Sequence, residues 1–173
     1  MRGLSRRGLN AAGAAACAGL LAYALYAEKV LGLEPCPLCM FQRVGIMLLG
    51  AVFLVAALHH PRGRWGARSY AVLVGLAAAV PAGVALRHLY IQNAPPGSVP
   101  ACGATLDYML DVFPLLEVVR QVLTGGGECA KIDWSLLGIS MPGWVLIAAV
   151  ALGLAGAVSN WRVPRDTGPR FAI

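Results

Sequence analysis

Four long apolar stretches divide the chain, each bounded by charged or turn-forming residues. Gly8 to Ala27 is 20 residues without a charge, Pro37 to Leu58 is 22 residues interrupted by Arg43 alone, Ser69 to Leu86 is 18, and Met141 to Trp161 is 21. A helix needs about 20 predominantly apolar residues to cross the hydrocarbon core of a bilayer. At about 1.5 Å per residue the second stretch reaches roughly 33 Å. The pattern predicts membrane spans at about 8–27, 37–58, 69–86 and 141–161, in a single domain over 1–173, with outer connections at about 28–36 and 92–140. The expected fold class is an all-α membrane protein, a four-transmembrane-helix bundle. Within the second connection, Leu106, Met109, Leu110, Phe113, Leu116 and Leu123 recur at helical spacing, with Asp107, Asp111 and Arg120 among the polar positions. That segment predicts a short amphipathic helix on the membrane surface, kinked near Pro114.

Composition agrees. Of 173 residues, 58% are hydrophobic and 13% charged, about half the charged share of an ordinary soluble domain. This excludes a disordered chain and argues against a soluble enzyme. The net charge of +6 is spread in short clusters between apolar runs rather than on one face, so the expected surroundings are lipid and no nucleic acid. Arg2, Arg6 and Arg7 precede the first span; Arg62, Arg64 and Arg68 follow the second; Arg162, Arg165 and Arg170 oppose Asp166 in the tail. The other two connections are neutral (Lys29 and Arg43 against Glu28 and Glu34) and acidic. The acidic one sets Arg120 and Lys131 against Asp107, Asp111, Glu117, Glu128 and Asp133. By the positive-inside rule both termini are cytoplasmic and both cysteine-bearing connections lie outside. Alternatively, Ser5-Arg6-Arg7 and Ala22-Tyr23-Ala24 mark a cleaved leader. That reading leaves three spans and breaks the agreement between charge and cysteine placement.

Of five cysteines, Cys17 lies mid-span and reads as a small buried hydrophobe. The other four fall on the expected outside, two per connection, and disulfides persist there if the space is oxidising. Cys36-Pro37-Leu38-Cys39 opens the second span. Proline favours the first helical position, which makes Cys36 the N-cap and puts Cys39 in the first turn. The positive end of a helix favours thiolate over thiol. Arg43 is four residues beyond Cys39, on the same face one turn deeper. An arginine in an apolar run is costly and usually functional; here it either supports a Cys39 thiolate or binds a polar ligand atom, the alternative being that it snorkels to the interface.

Cys102 and Cys129 are 27 positions apart. A link closing such a loop would stabilise the fold by about 3–4 kcal/mol in the chain-entropy model, a purely structural use. The flanking Pro95, Pro96, Pro100 and Gly125-Gly126-Gly127 point instead to mobility. Two dithiol pairs on one side of a membrane suggest a relay, the outer pair facing a soluble partner and the inner pair a hydrophobic two-electron carrier such as a quinone. No G-x-G-x-x-G follows a strand, which argues against a nicotinamide cofactor. An all-cysteine zinc site is a competing use of the four residues, but the second pair lacks close spacing, so no metal site is expected. A non-enzymatic four-helix membrane protein with structural disulfides is the alternative of a different class, and a quinone-linked thiol enzyme similar to the vitamin K epoxide reductases is a nearer one.

Glu34-Pro35-Cys36-Pro37-Leu38-Cys39-Met40-Phe41-Gln42-Arg43 resembles the active-site segment of the DsbB family of disulfide bond formation proteins. So do Gly127-Glu128-Cys129-Ala130-Lys131, Trp134, Leu137-Gly138 and Met141-Pro142-Gly143-Trp144. The resemblance extends over essentially the whole chain. It implies a multi-pass protein of the bacterial inner membrane that reoxidises a periplasmic DsbA-like protein of thioredoxin fold and passes electrons to the quinone pool, ubiquinone or menaquinone. It further implies that Cys102 is attacked by the partner, that Cys129 then attacks Cys36, and that Cys39 engages the quinone with help from Arg43. On its residues alone His88 reads as an interface histidine; the resemblance puts it near the quinone. His59 and His60 are expected to be solvated. Cys17 and the proline-rich approach to Cys102 have no counterpart in the family pattern.

Overall fold

A computed structural model describes residues 5–61, 63–95 and 106–162. In chain order the elements are α1 (Arg6–Lys29), α2 (Pro37–His59), α3 (Arg64–Gln92), α4 (Leu106–Val112), α5 (Leu115–Thr124) and α6 (Gly127–Ala130). Two two-residue strands, β1 (Ser135–Leu136) and β2 (Ile139–Ser140), precede α7 (Met141–Trp161). The helices α1, α2, α3 and α7 are each long and apolar enough to cross a membrane, so the four-helix membrane bundle stands. Its outer faces carry exposed Leu48, Leu54, Leu76 and Leu154, as lipid contact requires. Local chemistry sets the helix starts: Ser5 Oγ accepts the Gly8 N–H at 3.2 Å, and prolines occupy the opening positions of α2 and α7.

The long helices pack through small residues, the usual means of close approach between membrane helices. The Phe53 ring is wedged between Gly13 of α1 and Gly156 of α7; a Cβ on Gly156 would lie 2.5 Å from it. Gly45 of α2 lies against Pro81 of α3, where a Cβ would meet the proline at 2.9 Å. Cys17 is buried with Ile46, Leu49, Phe53 and Val74, the packing role expected of it. Near the far end, Asn10 and Asn160 exchange amide hydrogen bonds of 3.1 and 2.8 Å between α1 and α7. His59 is exposed, with Nδ1 2.8 Å from the Tyr70 hydroxyl. His60, expected to be solvated, is instead half-buried as the left-handed C-cap of α2.

The third span is longer than its apolar stretch. Hydropathy ends at Leu86, but α3 continues to Gln92 because Arg87 turns outward and serves as a cap. Its Nε donates to Leu123 O at 2.8 Å and its Nη2 to Thr124 O at 3.1 Å, carbonyls at the C-terminus of α5 where a cation is favourable. The extra turns of α3 carry His88 and Ile91 into a second core with Leu38, Met109, Val118, Val122 and Cys129. The expected surface helix is two pieces that break at Pro114, the N-cap of α5. The antiparallel β1–β2 pair turns through Leu137 and Gly138, both with positive φ, the geometry of a tight hairpin. It was too short to show any period.

Candidate active site

Among the glycines before Cys129, Gly125 serves close approach. Gly125, at φ 81°, turns the chain from α5 toward α6, and a Cβ there would collide with Ile91. The one-turn α6 that follows buries Cys129 against the mouth of α2. Cys102 lies outside the described residues, so its pairing with Cys129 remains the expectation of the resemblance.

Cys36 is the N-cap of α2, as Pro37 required. Its sulfur accepts the Cys39 N–H at 3.4 Å and donates to Cys39 Sγ at 3.0 Å. Both are free cysteines in this structure. One turn deeper, Gln42 is buried with its amide nitrogen 3.1 Å from His88 Nδ1. The other ring nitrogen, Nε2, lies 3.0 Å from the Cys129 carbonyl and 3.8 Å from Cys36 Sγ. One tautomer satisfies all three contacts: Gln42 donates to Nδ1 and Nε2–H points at the carbonyl and the sulfur. His88 is thus a buried residue at 3% exposure, not the interface histidine its position suggested. The long α3 carries it past the apolar stretch and under the second connection.

The ligand atoms of Cys36, His88 and Cys129 all lie within 4.8 Å of one another. Hydrogen bonding to Cys36 and burial push the Cys129 thiol well above its ordinary range. It therefore holds its proton when both sulfurs are reduced.

Arg43 is held by α1. Its Nη1 lies 2.5 Å from Glu28 Oε2 and its Nη2 donates to Ala24 O at 3.1 Å, both on the last turns of α1. Arg43, Cys39, Gln42 and His88 line a cavity of about 370 Å³, which Tyr23, Trp134 and Trp144 help to close. An apolar cleft of this size with a few convergent polar groups is the usual form of a small-molecule site. Sequence reasoning missed Glu28 and Gln42. Gln42 carried a usable signal, a polar residue beside Arg43 inside an apolar run. Glu28 carried none, since a carboxylate at a span's end is ordinary.

Comparison with known proteins bears on the same region. The family model described as disulfide bond formation protein DsbB matches residues 6–159. Disulfide bond formation protein B of Nitrosococcus oceani is 46% identical over 152 residues, covering 88% of each chain. The protein of that name from Xanthomonas campestris is 46% identical over 155 residues, 90% of this chain and 88% of its own. That from Acinetobacter baumannii is 52% identical over 126 residues, 73% of this chain and 74% of its own.

Proposed function

The chain belongs to the DsbB family of disulfide bond formation proteins, and from that membership we propose that it oxidises a periplasmic DsbA-like dithiol protein and delivers the electrons to a membrane quinone. It is a multi-pass membrane protein and a thiol oxidoreductase of disulfide bond formation; the partner, the acceptor and the residue roles are our reading. The observation that carries it is the convergence of Cys129, from the second connection, on the Cys36–Cys39 pair beside the cavity.

In the proposed cycle a partner thiolate attacks Cys102 of a Cys102–Cys129 disulfide, forming a mixed disulfide and releasing Cys129. The partner's second thiol resolves that bond and leaves oxidised. Cys129 attacks Cys36, breaking Cys36–Cys39 and expelling Cys39 as a thiolate into the cavity wall. Cys102 then attacks Cys129, which restores the Cys102–Cys129 disulfide and releases Cys36; when the Cys36 and Cys39 thiols are joined again, two electrons and two protons leave the protein. Overall, one partner dithiol becomes a disulfide and one quinone becomes a quinol, with two electrons and two protons transferred. The packing is compatible with that order: Cys36 Sγ lies within 4.8 Å of Cys129 Sγ, and both Cys36 and Cys39 line the cavity.

The cavity suits a quinone head. Its lining is mainly apolar, which suits a planar ring, and the Arg43 guanidinium and the second N–H of the Gln42 amide offer donors for carbonyl oxygens. The quinone supplies the two-electron acceptor. Arg43 orients it and balances negative charge near Cys39, while His88 stands within reach of the Cys36 sulfur to give or take its proton. The charge pattern supports an inner-membrane protein with both termini in the cytoplasm and the site on the periplasmic side.

Redox trapping tests the proposal. The reduced, purified protein is mixed anaerobically with a short-chain quinone and its thiols are alkylated with a mass tag. Wild type should lose the Cys36 and Cys39 thiols as quinol forms, and Cys39→Ser should form none. Quinol production by Cys39→Ser at the wild-type rate would overturn the assignment.

A further inference from the structure

Soft metal ligands meet at the base of the site from three separate elements. They are Cys36 Sγ at the N-cap of α2, the His88 ring nitrogen on α3 and Cys129 Sγ on α6, all within 4.8 Å of one another. Cys39 Sγ lies 3.0 Å from Cys36 Sγ and is not one of the three. Sulfur and nitrogen ligands at about 2.3 and 2.0 Å from a tetrahedral zinc ion stand roughly 3.5–3.8 Å from each other. The Cys36 Sγ to His88 Nε2 separation of 3.8 Å is already at that length. The remaining edges of the triad need to close by no more than about 1 Å. The site is also backed. Gln42 holds the far nitrogen of His88 at 3.1 Å, the outer contact that fixes ring orientation in metal-binding histidines. Rotation of its amide presents an oxygen to Nδ1–H, and Nε2 then exchanges its contact with the Cys129 carbonyl, 3.0 Å away, for the metal. His88 and Cys129 are 3% and 2% exposed, so bulk water competes poorly.

We infer that, once its cysteine pairs are reduced, the protein binds one thiophilic divalent cation of the zinc type through Cys36, His88 and Cys129. Each ligating thiol gives up one proton and no electrons move. The four cysteines alone did not suggest this site, because its nitrogen ligand is 52 residues from Cys36 in the chain. An ion so placed occupies the sulfur that Cys129 attacks, and it holds the protein reduced and idle. That consequence rests on the relay proposed above; the binding itself needs only free thiols.

The test uses purified full-length protein in detergent, reduced, freed of reductant and titrated anaerobically with Cd²⁺, whose thiolate complexes absorb in the ultraviolet. Zn²⁺ serves as the competitor. One equivalent should bind the reduced protein with a sulfur-to-cadmium band and none the fully oxidised protein. His88→Ala and Cys129→Ser should each weaken binding at least about tenfold, since each removes a ligand. Cys17→Ala should leave it unchanged. His88→Asn replaces His88→Ala if the latter does not elute as a single species. Stoichiometric Zn²⁺ should stop oxidation of a dithiol substrate, and a chelator should restore it. Absence of the band in reduced wild type, or its persistence at full strength in both ligand variants, overturns the site. Binding without any quinone reduction would leave the site intact and remove the relay, whereas turnover without binding would do the reverse.

Discussion

The Arg43 guanidinium sits 2.5 Å from the Glu28 carboxylate and ties the second turn of α2 to the last turn of α1. The two side chains are only 17% and 22% exposed, and Ala24 O accepts a second arm of the guanidinium. An arginine in an apolar run is therefore neutralised locally, at the rim of the cavity, and its planar fork is held in one orientation. Lysine offers no such fork.

Arg43→Ala should raise the KM for quinone by roughly 10- to 150-fold, the equivalent of one charge-assisted hydrogen bond of about 1.5–3 kcal/mol. Arg43→Lys should be intermediate. Glu28→Gln keeps an acceptor for the guanidinium but loses the charge, so its effect should stay within about fivefold. Steady-state assays across quinone concentrations read all three. An unchanged KM in Arg43→Ala would mean that the arginine serves insertion or packing alone.

Cys129 should be a slow nucleophile in the fully reduced protein. Its thiol value is raised above the ordinary 9.0, first by the hydrogen bond to Cys36 and then by burial. A raised value means the proton is kept to higher pH, so the thiolate fraction is low at neutrality and still climbing above pH 9. Alkylation of Cys129, followed by mass spectrometry from pH 7 to pH 10, should rise throughout without levelling. Cys36→Ala removes the leading cause and should move the profile to lower pH. A plateau below pH 9 in the reduced wild-type sequence would contradict this.

Which parts of this arrangement the chain announced depends on the range of the signal. The spans and the N-cap at Cys36 follow from runs and from a proline one residue away, and such short-range features read directly. The extension of α3 did not, because a hydropathy window closes at Arg87, while the helix is sustained by that arginine reaching the carbonyls of α5, 36 and 37 residues on. Burial of His88 follows from the same extension, which explains why it looked like an interface residue. Gly125 reads as mobile because flexibility and steric clearance leave the same composition; only the neighbouring Ile91 reveals the clearance it provides. Glu28 needed the fold, since only the packing of α1 on α2 puts it beside Arg43.

The charge pattern and the bundle together make an asymmetric labelling prediction. Ser135 and Ser5 are both exposed, the first beside the site and the second at the start of α1, on opposite ends of the bundle. In a background with the native cysteines blocked, a membrane-impermeant maleimide should label Ser135→Cys in intact cells. It should label Ser5→Cys only after the membrane is opened. Without that block, reduced native Cys129 should label slowly even on the accessible side, because it is 2% exposed. Labelling in the reverse order would invert the orientation and put the site on the cytoplasmic face.

The Asn10–Asn160 pair offers a test of stability separate from chemistry. Each amide is 1% exposed, and the two exchange hydrogen bonds of 3.1 and 2.8 Å, with Asn160 also donating to Gly156 O at 2.8 Å. Replacing one partner strands the other in a dry interface, whereas replacing both removes the polar groups together. Interhelical hydrogen bonds in membrane proteins average about 0.6 kcal/mol and reach about 1.7. Asn10→Ala and Asn160→Ala should therefore each lower stability, with a coupling between them of about 0.5–1.5 kcal/mol in a double-mutant cycle. Reversible unfolding in mixed detergent micelles gives the four values. The pair lies near the start of α1, roughly 30 Å along that helix from Glu28, so KM for quinone should not change in the variants. Additive losses would reduce the pair to two independent contacts, and a shift in KM would show that the two ends of the bundle are coupled.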